Sequence, residues 1–493
     1  MKYASTRDSS TQVTAARAIA SGLAPDGGLF VPVTIPAVDE SFLKKLCTMD
    51  YRERAVAVME LYLEDFTREE LEEDVKNAYG ANYDDPAIVP VRFLRDGTGV
   101  VELYHGPTCA FKDMALQMLP YLLTASLKKC GEERQVCILV ATSGDTGKAA
   151  LEGFADVPRT KIQVFYPRDG VSDVQKLQMA SQTGDNVCVT AVAGNFDDAQ
   201  TGVKTIFGDR AFADKLTERG WFLSSANSIN WGRLLPQIVY YFSAYCDFVN
   251  AGRLEMGQPI NFVVPTGNFG DILAGWYAKQ MGLPVKTLIC ASNANNVLTD
   301  FIRQGTYDKN RPFYTTSSPS MDILVSSNLE RLLYCLSGDD KLVAGYMQAL
   351  KETGSYTVGE DLRQAVSREF WAGSCDDART FAAIRARFEE EGYLMDTHTA
   401  VAWSVLEDYR KETGDTTATA VLSTASPFKF CDSVLRALGE ETDAPGTVLL
   451  EQLTAKTGVP APAPLAALKN KAVRFTECVE KTEMLPAVDA FVR

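Results

Sequence analysis

Histidine is scarce in this sequence, and cysteine, although present, is never clustered. The 493 residues include two histidines, His105 and His398, and eleven cysteines that stand singly without a Cys-x-x-Cys pair. Zinc sites take their ligands from such clusters, and disulfide frameworks use even sets of cysteines in small secreted chains. We therefore expect no metal site, and reduced thiols in a cytoplasmic protein.

Long apolar runs and an excess of basic charge are also missing. No apolar run approaches the ~20 residues that span a bilayer, and the polar start MKYASTRDSSTQV lacks the apolar core of a secretory signal. The net charge is −15, which argues against nucleic-acid or anionic-membrane partners. An anion site must then be built from backbone amides or from a locally placed basic side chain.

The chain is long enough for two or three domains. Residues 1–95 predict a mainly helical unit, in which Thr67 and Glu70 form a capping box. Beyond it, apolar strands alternate with helices, which is typical of an α/β fold with mostly parallel sheets. The clearest predicted strands are residues 135–142, 161–167, 186–192, 259–264 and 285–292, and one that ends near residue 423.

Lys112 stands in an unusually apolar segment, residues 104–117, with the sequence YHGPTCAFKDMALQ. One interpretation is a solvated helix face. The other is a buried amine, whose pKa is lowered because burial disfavours the ammonium form. Such an amine can react with a carbonyl group.

The turn PTGNFGDILAG, residues 265–275, predicts a phosphate cup. Gly267 and Gly270 lie between a buried strand that ends at Val264 and a helix that begins near Asp271. Glycines let backbone amides approach a ligand, and the helix N-terminus adds donors and partial positive charge. The alternative is an ordinary turn in which Asn268 caps the helix.

Three further segments carry polar groups at strand ends or helix starts. ATSGDTGKAA is not a phosphate-binding P-loop, because Thr142 and Ala149 stand where that motif needs Gly and Ser or Thr. Its hydroxyls suit a carboxylate, although a plain turn remains open. Arg233 offers a planar fork of donors for phosphate or carboxylate, unless it pairs with an acidic helix face. Thr424 could contact a ring nitrogen, or it could cap the helix near Pro427.

Together, a phosphate cup, an anion-binding turn, a strand-end hydroxyl and a lysine in an apolar segment describe a pyridoxal phosphate site. A buried lysine binds the cofactor aldehyde, and the cofactor serves as an electron sink.

The motifs HGPTCAFKD, TSGDTG, SINWGR, PTGNFGD and SPSMDILVSSNLERLL, in this order, resemble those of threonine synthase. YASTR and GLAPDGGLFVP resemble the N-terminal region of the longer form of that family. The resemblance implies a fold-type II, tryptophan synthase β-like enzyme with two α/β domains and a helical N-terminal domain. The expected domains are residues 1–95, a large cofactor-binding domain of residues 96–130 and 235–493, and a smaller mobile domain of residues 131–234.

The resemblance also implies roles for particular residues. Lys112 would bind the cofactor and act as the catalytic base. The cofactor phosphate would be held by Gly267, Asn268, Phe269, Gly270 and Asp271, and the pyridine nitrogen would meet Thr424. The substrate carboxylate would bind Thr142, Ser143, Asp145 and Thr146. The candidates for the substrate phosphate are Ser228, Asn230 and Arg233, with Lys148 as a weaker one.

The implied reaction converts O-phospho-L-homoserine and water into L-threonine and phosphate, in the last step of threonine biosynthesis. Lys112 would remove protons from Cα and Cβ, phosphate would leave from Cγ, and water would add at Cβ. We expect a monomer or homodimer acting on this small molecule. Two alternatives stay open: a related pyridoxal-phosphate-dependent lyase or dehydratase, which needs no second phosphate site, and a non-catalytic ligand-binding relative.

Two positions depart from the family pattern. Ser426 stands where the family usually has histidine, and Thr397 stands where it commonly has proline before His398. His105, in the lysine motif, either helps to orient the site or is a hydrogen-bonded core imidazole.

Overall fold

The N-terminal part combines helices with a small antiparallel sheet. The computed structural model describes residues 1–168 and 171–493. The first elements are β1 (Tyr3–Ser5), β2 (Gln12–Val13), α1 (Ala15–Ser21), β3 (Phe30–Pro32), α2 (Glu40–Cys47), α3 (Tyr51–Met59) and α4 (Arg68–Ala78). The Thr67–Glu70 capping box at the start of α4 is present as predicted. The sheet, in the order β2-β1-β3, escapes prediction because strands of two or three residues are too short to show alternation.

The next elements begin the large sheet and bring in the lysine motif. They are β4 (Val91–Phe93), β5 (Gly99–Glu102), α5 (Asp113–Leu116) and α6 (Leu119–Lys129). Lys112 immediately precedes α5, and Ala110 forms an isolated bridge with Ala425. The lysine motif is thereby tied to the chain that follows a later strand of the same sheet.

A second α/β unit follows, with a fully parallel sheet. Its elements are β6 (Gln135–Ala141), α7 (Asp145–Phe154), β7 (Thr160–Pro167), α8 (Asp173–Ala180), β8 (Val187–Val192), α9 (Phe196–Gly208), α10 (Arg210–Glu218) and β9 (Trp221–Ser224). The strand order is β16-β8-β7-β6-β9, in which β16 is Cys478–Val479. Each strand is followed by a helix, as parallel connections require.

The chain then returns to the large sheet. Its remaining elements, apart from β16, are α11 (Trp231–Asn250), β10 (Ile260–Pro265), α12 (Gly270–Met281), β11 (Val285–Ser292), α13 (Val297–Gln304), β12 (Thr306–Asp308), α14 (Leu329–Ser337), α15 (Asp340–Glu352), β13 (Ser355–Thr357), α16 (Glu360–Glu369), β14 (Phe370–Ser374), α17 (Asp377–Glu391), α18 (Thr397–Thr413), β15 (Thr419–Ser423), α19 (Cys431–Ala437), α20 (Gly446–Thr457), α21 (Ala463–Ala466) and α22 (Met484–Phe491). Single 3-10 turns occupy Pro319–Met321, Pro427–Phe430, Ala467–Asn470 and Lys481–Glu483.

The large sheet has the order β14-β11-β10-β15-β5-β4. Its neighbours are parallel except for β4, which pairs antiparallel with β5 at one edge. Two mostly parallel α/β sheets are therefore confirmed. Strands β10, β15 and β6 end next to the predicted cup, Thr424 and the predicted carboxylate turn, respectively, and ligands in such folds bind at the carboxyl ends of strands.

The C-terminal tail differs from the predicted domain division. We assigned residues 235–493 to the large domain, but β16 pairs in parallel with β8 of the other sheet. Met484, Val488 and Val492 are buried in the same cluster as Phe212 and Leu216. The tail crosses over because it offers an apolar face to an otherwise open edge of the smaller sheet.

Helix α11 anchors the N-terminal part to the rest of the molecule. It is buried along nearly its whole length and packs against α2 and α3 on one side and α12 on another. In the described residues, no helix combines the length and apolarity that crossing a membrane requires.

Candidate active site

Lys112 lies in a buried cleft and not on a solvated helix face. The residue is 9% exposed, and its Nζ lies 4.6 Å from the centre of the Phe111 ring. Burial lowers the pKa of Lys112 to about 8, with Asp145 opposing the shift and Arg233 adding to it. A substantial fraction of the amine is therefore neutral near physiological pH, as a nucleophile or base needs to be.

Asp145 is the carboxylate next to that amine. Its Oδ2 lies 3.7 Å from Lys112 Nζ, and its Oδ1 lies 2.8 Å from Lys429 Nζ. Burial would raise the pKa of Asp145, but Lys429 and Lys112 outweigh it and hold the pKa well below its usual range. Asp145 thus remains charged and faces the lysines. The prediction that it binds the substrate carboxylate is not supported, because two carboxylates in contact would repel each other.

The predicted phosphate cup is a tightly packed turn with an unusual backbone conformation. Phe269 adopts a left-handed conformation with φ of 64°, which costs free energy for a residue with a side chain. A Cβ on Gly267 would lie 2.6 Å from the carbonyl oxygen of Ser320, and one on Gly270 would lie 3.3 Å from Asn328 Nδ2. Gly267 therefore packs too closely against the Ser320 backbone for any side chain, and a side chain at Gly270 would require Asn328 to shift.

The segment after Ser320 holds this cup in place. Asn328 donates from its backbone and side-chain nitrogens to the Asn268 carbonyl, both at 3.1 Å. Ser326 Oγ donates to the Gly267 carbonyl at 2.7 Å. These bonds engage the carbonyl oxygens of Gly267 and Asn268 and tie the turn to residues 326–328.

Asp271 sits inside the cup at the first turn of α12. Tyr240 and Tyr241 donate to its Oδ1 at 2.6 and 2.9 Å. Its Oδ2 is buried without a hydrogen-bond partner. Burial raises the pKa of Asp271 to about 6, and the two tyrosine hydroxyls limit that rise.

The predicted carboxylate turn forms as a strand end running into α7. Thr142 Oγ1 accepts from the backbone N–H groups of Gly144 and Gly147 at 3.0 and 2.9 Å, so that hydroxyl oxygen orders the turn. Ser143 and Thr146 line the same cleft as Lys112, together with Thr142. Thr146 also lines the part of the cleft next to the predicted cup.

Arg233 lies on the same cleft, buried and without a carboxylate partner. It is 5% exposed, and in the described residues no carboxylate forms an ion pair with it. Its Nη1 donates to the Ala226 carbonyl at 2.9 Å, whereas its Nε is buried without a partner. Burial lowers the pKa of Arg233 to about 10. A buried guanidinium with an unused donor is suited to an anionic ligand.

The other residues predicted to bind the substrate phosphate differ in whether they line the cleft. Ser228 lines the cleft beside Arg233, and its Oγ accepts from Asn328 at 2.9 Å. Asn230 does not line the cleft, because its Oδ1 caps α11 and its Nδ2 donates to the Ile19 carbonyl at 3.0 Å. Lys148 pairs with Glu152 at 2.6 Å and contacts Gln182. The predictions for Asn230 and Lys148 are therefore not supported.

Thr424 lines the cleft, while its contact with a ring nitrogen stays a prediction. Two other residues of the same lining, Ser320 and His398, carried no assigned role. Ser320 Oγ lies 3.5 Å from Lys112 Nζ. The backbone N–H of Ser320 donates to His398 Nε2 at 3.1 Å, which leaves the proton on His398 Nδ1 to be donated to Asp396 at 2.9 Å. The sequence held a signal for Ser320 in the SPSMDI motif, but not its distance from Lys112.

His105 and Ser426 lie outside the cleft lining. His105 bonds Asp84 at 2.6 Å and Glu102 at 3.1 Å. Burial alone would lower its pKa, but these two carboxylates raise the pKa of His105 to about 9. This arrangement favours the second interpretation of His105, a structural imidazole. Ser426 Oγ caps the 3-10 turn by accepting from Phe428 N at 3.3 Å.

Comparison with known proteins gives matches along the whole chain. Family models match at residues 2–79 (threonine synthase N terminus), 100–424 (pyridoxal-phosphate dependent enzyme) and 399–492 (threonine synthase, C-terminal). Human threonine synthase-like 1 is 42% identical over 85% of this chain, which spans 57% of that relative's length. Threonine synthase of Saccharomyces cerevisiae is 37% identical, with 88% of this chain and 89% of the relative covered.

A solved structure agrees with these matches. The pyridoxal-phosphate-bound threonine synthase of Brucella melitensis superposes with a TM-score of 0.87 at 38% identity, covering all of this chain and 98% of the other. The fold is accordingly the expected fold-type II, and the cofactor is pyridoxal 5′-phosphate.

The residues present fit that cofactor. The glycine-containing turn at residues 267–270 lies on the same cleft as the buried amine of Lys112 and the hydroxyl of Thr424. The turn would take the phosphate of the cofactor, Lys112 its aldehyde, and Thr424 its ring nitrogen.

Proposed function

This chain belongs to the threonine synthase family of pyridoxal-phosphate-dependent enzymes, and from that premise we propose that it converts O-phospho-L-homoserine and water into L-threonine and inorganic phosphate. The observation that carries the substrate assignment is Arg233. We assign the cofactor phosphate to the backbone amides of Gly267–Asp271, a segment without any basic side chain. Arg233 is a second buried donor group, and no carboxylate among the described residues pairs with it, which supports a second anionic group in the cleft.

Pyridoxal phosphate supplies, when bound, the electron sink that makes protons near the substrate's amino carbon removable. The chain's own residues would hold it at both ends. The amides of the cup and the start of α12 would take its phosphate, Lys112 its aldehyde, and Thr424 its ring nitrogen. A hydroxyl cannot keep that nitrogen protonated as a carboxylate does, so we assign the proton transfers to Lys112 and to substrate orientation.

The substrate would be oriented by two anion sites. The turn that carries Ser143 and Thr146 supplies hydroxyls and the amides at the start of α7 for its carboxylate. Arg233 and Ser228 lie on the side of the cleft that would receive its phosphate. Fixing both ends would leave Cα and Cβ as the atoms presented to Lys112 Nζ.

Lys112 would then move the protons. With a pKa of about 8, its amine can accept the Cα proton, give it back to the cofactor-bound substrate, and so become free to accept the Cβ proton. It can then give that second proton to the Cγ end after phosphate has left. Water must be kept out before that departure and admitted afterwards, so that it adds at Cβ. The cleft between the two sheets supports this order if residues 131–234 close over the substrate, as we predict.

The proposal extends to the location and the oligomeric state of the protein. We propose a cytoplasmic enzyme of threonine biosynthesis that acts as a monomer or homodimer, without nucleic-acid or membrane partners. Two alternative functions remain for this chain: a dehydratase that acts on a hydroxy amino acid, or a ligand-binding relative without catalytic activity.

The test measures phosphate and threonine together, from O-phospho-L-homoserine, for three proteins. We expect wild type to form both in equal amounts, and Arg233→Met to raise the KM at least tenfold, since hydrogen bonds to charged groups contribute ~1.5–3 kcal/mol. Arg253→Met, an exposed position away from the cleft, serves as the control and should match wild type. Unchanged kinetics in Arg233→Met would contradict the substrate assignment. Absence of both products from wild type would favour the ligand-binding alternative.

A further inference from the structure

Lys429 is a buried lysine to which neither the family motifs nor the proposed reaction assigns a role. Its side chain is 0% exposed and its Nζ lies 2.8 Å from Asp145 Oδ1. It also donates to the carbonyl of Thr108 at 2.8 Å. A lysine this deeply buried costs free energy unless it is paired, which makes its position beside Asp145 a specific feature of the site.

Asp145 joins Lys429 to Lys112 through its two oxygens. Oδ1 receives Lys429 and also Gln175 Nε2 at 2.8 Å. Oδ2 faces Lys112 Nζ at 3.7 Å and accepts from Ser320 Oγ at 3.3 Å. The carboxylate is therefore held on one side and acts on the reacting amine with the other.

We propose that Lys429 is a positioning residue, which holds one oxygen of Asp145 and so sets the position and the charge that the other oxygen presents to Lys112. The proposal rests on the proposed role of Lys112 as the reacting amine. Lys429 lies in the 3-10 turn Pro427–Phe430, which follows a strand of the large sheet, and Asp145 is the first residue of α7 in the smaller unit. The pair thus also links the two α/β units at the cleft.

The charged groups around Lys112 make the direction of the effect clear. Asp145 faces it from α7, Arg233 from α11, Asp271 from α12 and Lys429 from the 3-10 turn. The two carboxylates favour the ammonium form of Lys112, whereas the two cations disfavour it.

Removing Lys429 would change this balance in two ways. A repelling positive charge would disappear, and the negative charge of Asp145 would no longer be shared with a second lysine. Both changes would hold the proton on Lys112 Nζ more tightly. Because Lys112 must give up that proton to act as a base, Lys429 keeps the amine reactive near neutral pH.

The test is a pH titration of the visible absorption of the cofactor-bound protein, which reports protonation of the nitrogen shared by Lys112 and the cofactor. It needs no substrate and no turnover. We expect Lys429→Met to raise the midpoint by about one pH unit, a tenfold change in proton affinity and the lower end of the effect of a neighbouring charge. Lys429→Arg, which keeps the charge, should stay near wild type.

A double-mutant cycle separates a positioning role from a direct effect of charge. In an Asp145→Asn background only the direct repulsion by Lys429 remains, so Lys429→Met should move the midpoint less than in wild type. Lys148→Met removes a buried lysine of α7 that pairs with Glu152 and does not contact Lys112, and as a control it should leave the midpoint unchanged. Should Lys429→Met fail to fold, Lys429→Gln keeps a polar group and tests the same shift.

Two results would overturn the proposal: an unchanged or lower midpoint in the Lys429 variants, or an equal shift with and without Asp145. A wild-type protein without a visible band would overturn it together with the role of Lys112. Failure to form threonine, with the predicted shifts intact, would count against the proposed function alone.

Discussion

Gly267→Ala tests whether the cup is shaped for a phosphate. The new Cβ would lie 2.6 Å from the carbonyl oxygen of Ser320, and a backbone atom cannot rotate away. Ser320 is also tied to His398 through its N–H at 3.1 Å. The cup must therefore shift, and its amides lose alignment with the cofactor phosphate. Since hydrogen bonds to charged groups contribute ~1.5–3 kcal/mol, we expect a loss of about 2 kcal/mol, or roughly 30-fold in cofactor affinity.

The assay is a titration of cofactor-free protein with pyridoxal phosphate, followed by its visible absorption. Gly345→Ala is the matched control, because that glycine lies within α15 and nothing stands within 4 Å of the added Cβ. The control should bind the cofactor as wild type does, and its Tm should rise slightly, since glycine inside a helix costs ~0.5–1 kcal/mol. Wild-type affinity in a folded Gly267→Ala protein would refute the reasoning about the cup.

Three further predictions concern pH and motion. The rate at which pyridoxal phosphate rebinds to cofactor-free protein should rise with pH and level off above about 8, the pKa of Lys112; a flat profile would contradict a reacting neutral amine. Because the pKa of His105 is raised to about 9 in the folded protein, the protonated imidazole stabilises the fold. This stabilisation is complete below the unfolded pKa of ~6.5 and is lost as the pH rises through 9. His105→Gln should therefore lower the Tm at pH 6 and leave it almost unchanged at pH 10. An equal loss of Tm at both pH values would mean that the charged form of His105 does not stabilise the fold. Hydrogen exchange at residues 142–147 should slow when a substrate analogue binds; unchanged protection would count against closure of residues 131–234.

The strands could be predicted because they are apolar and long enough to show it. Residues 285–292 were predicted as a strand and form β11 with the same bounds. Residues 161–167 lie within β7, which starts one residue earlier. By contrast, β16 has two residues and pairs across the sequence with β8. Such a contact depends on the whole fold, and the local pattern carries no sign of it.

The site was predictable where backbone chemistry decides, and less so where side chains have several uses. At Gly267 a Cβ would lie 2.6 Å from a backbone oxygen, which explains the glycine that the sequence shows there. Asn230, in contrast, can equally cap a helix or bind a ligand, and the structure uses it as the cap of α11. Lys429 gave no sequence signal, because its partner Asp145 lies far away in the chain and the two meet only in the folded molecule.

The most direct test of the central claim is the reaction of O-phospho-L-homoserine in ¹⁸O-labelled water. If the bond between Cγ and the phosphate oxygen breaks and water adds at Cβ, the product is threonine with one labelled hydroxyl oxygen. The phosphate released in equal amount carries no label. Unlabelled homoserine together with labelled phosphate would mean simple hydrolysis of the phosphate ester, and would contradict the account.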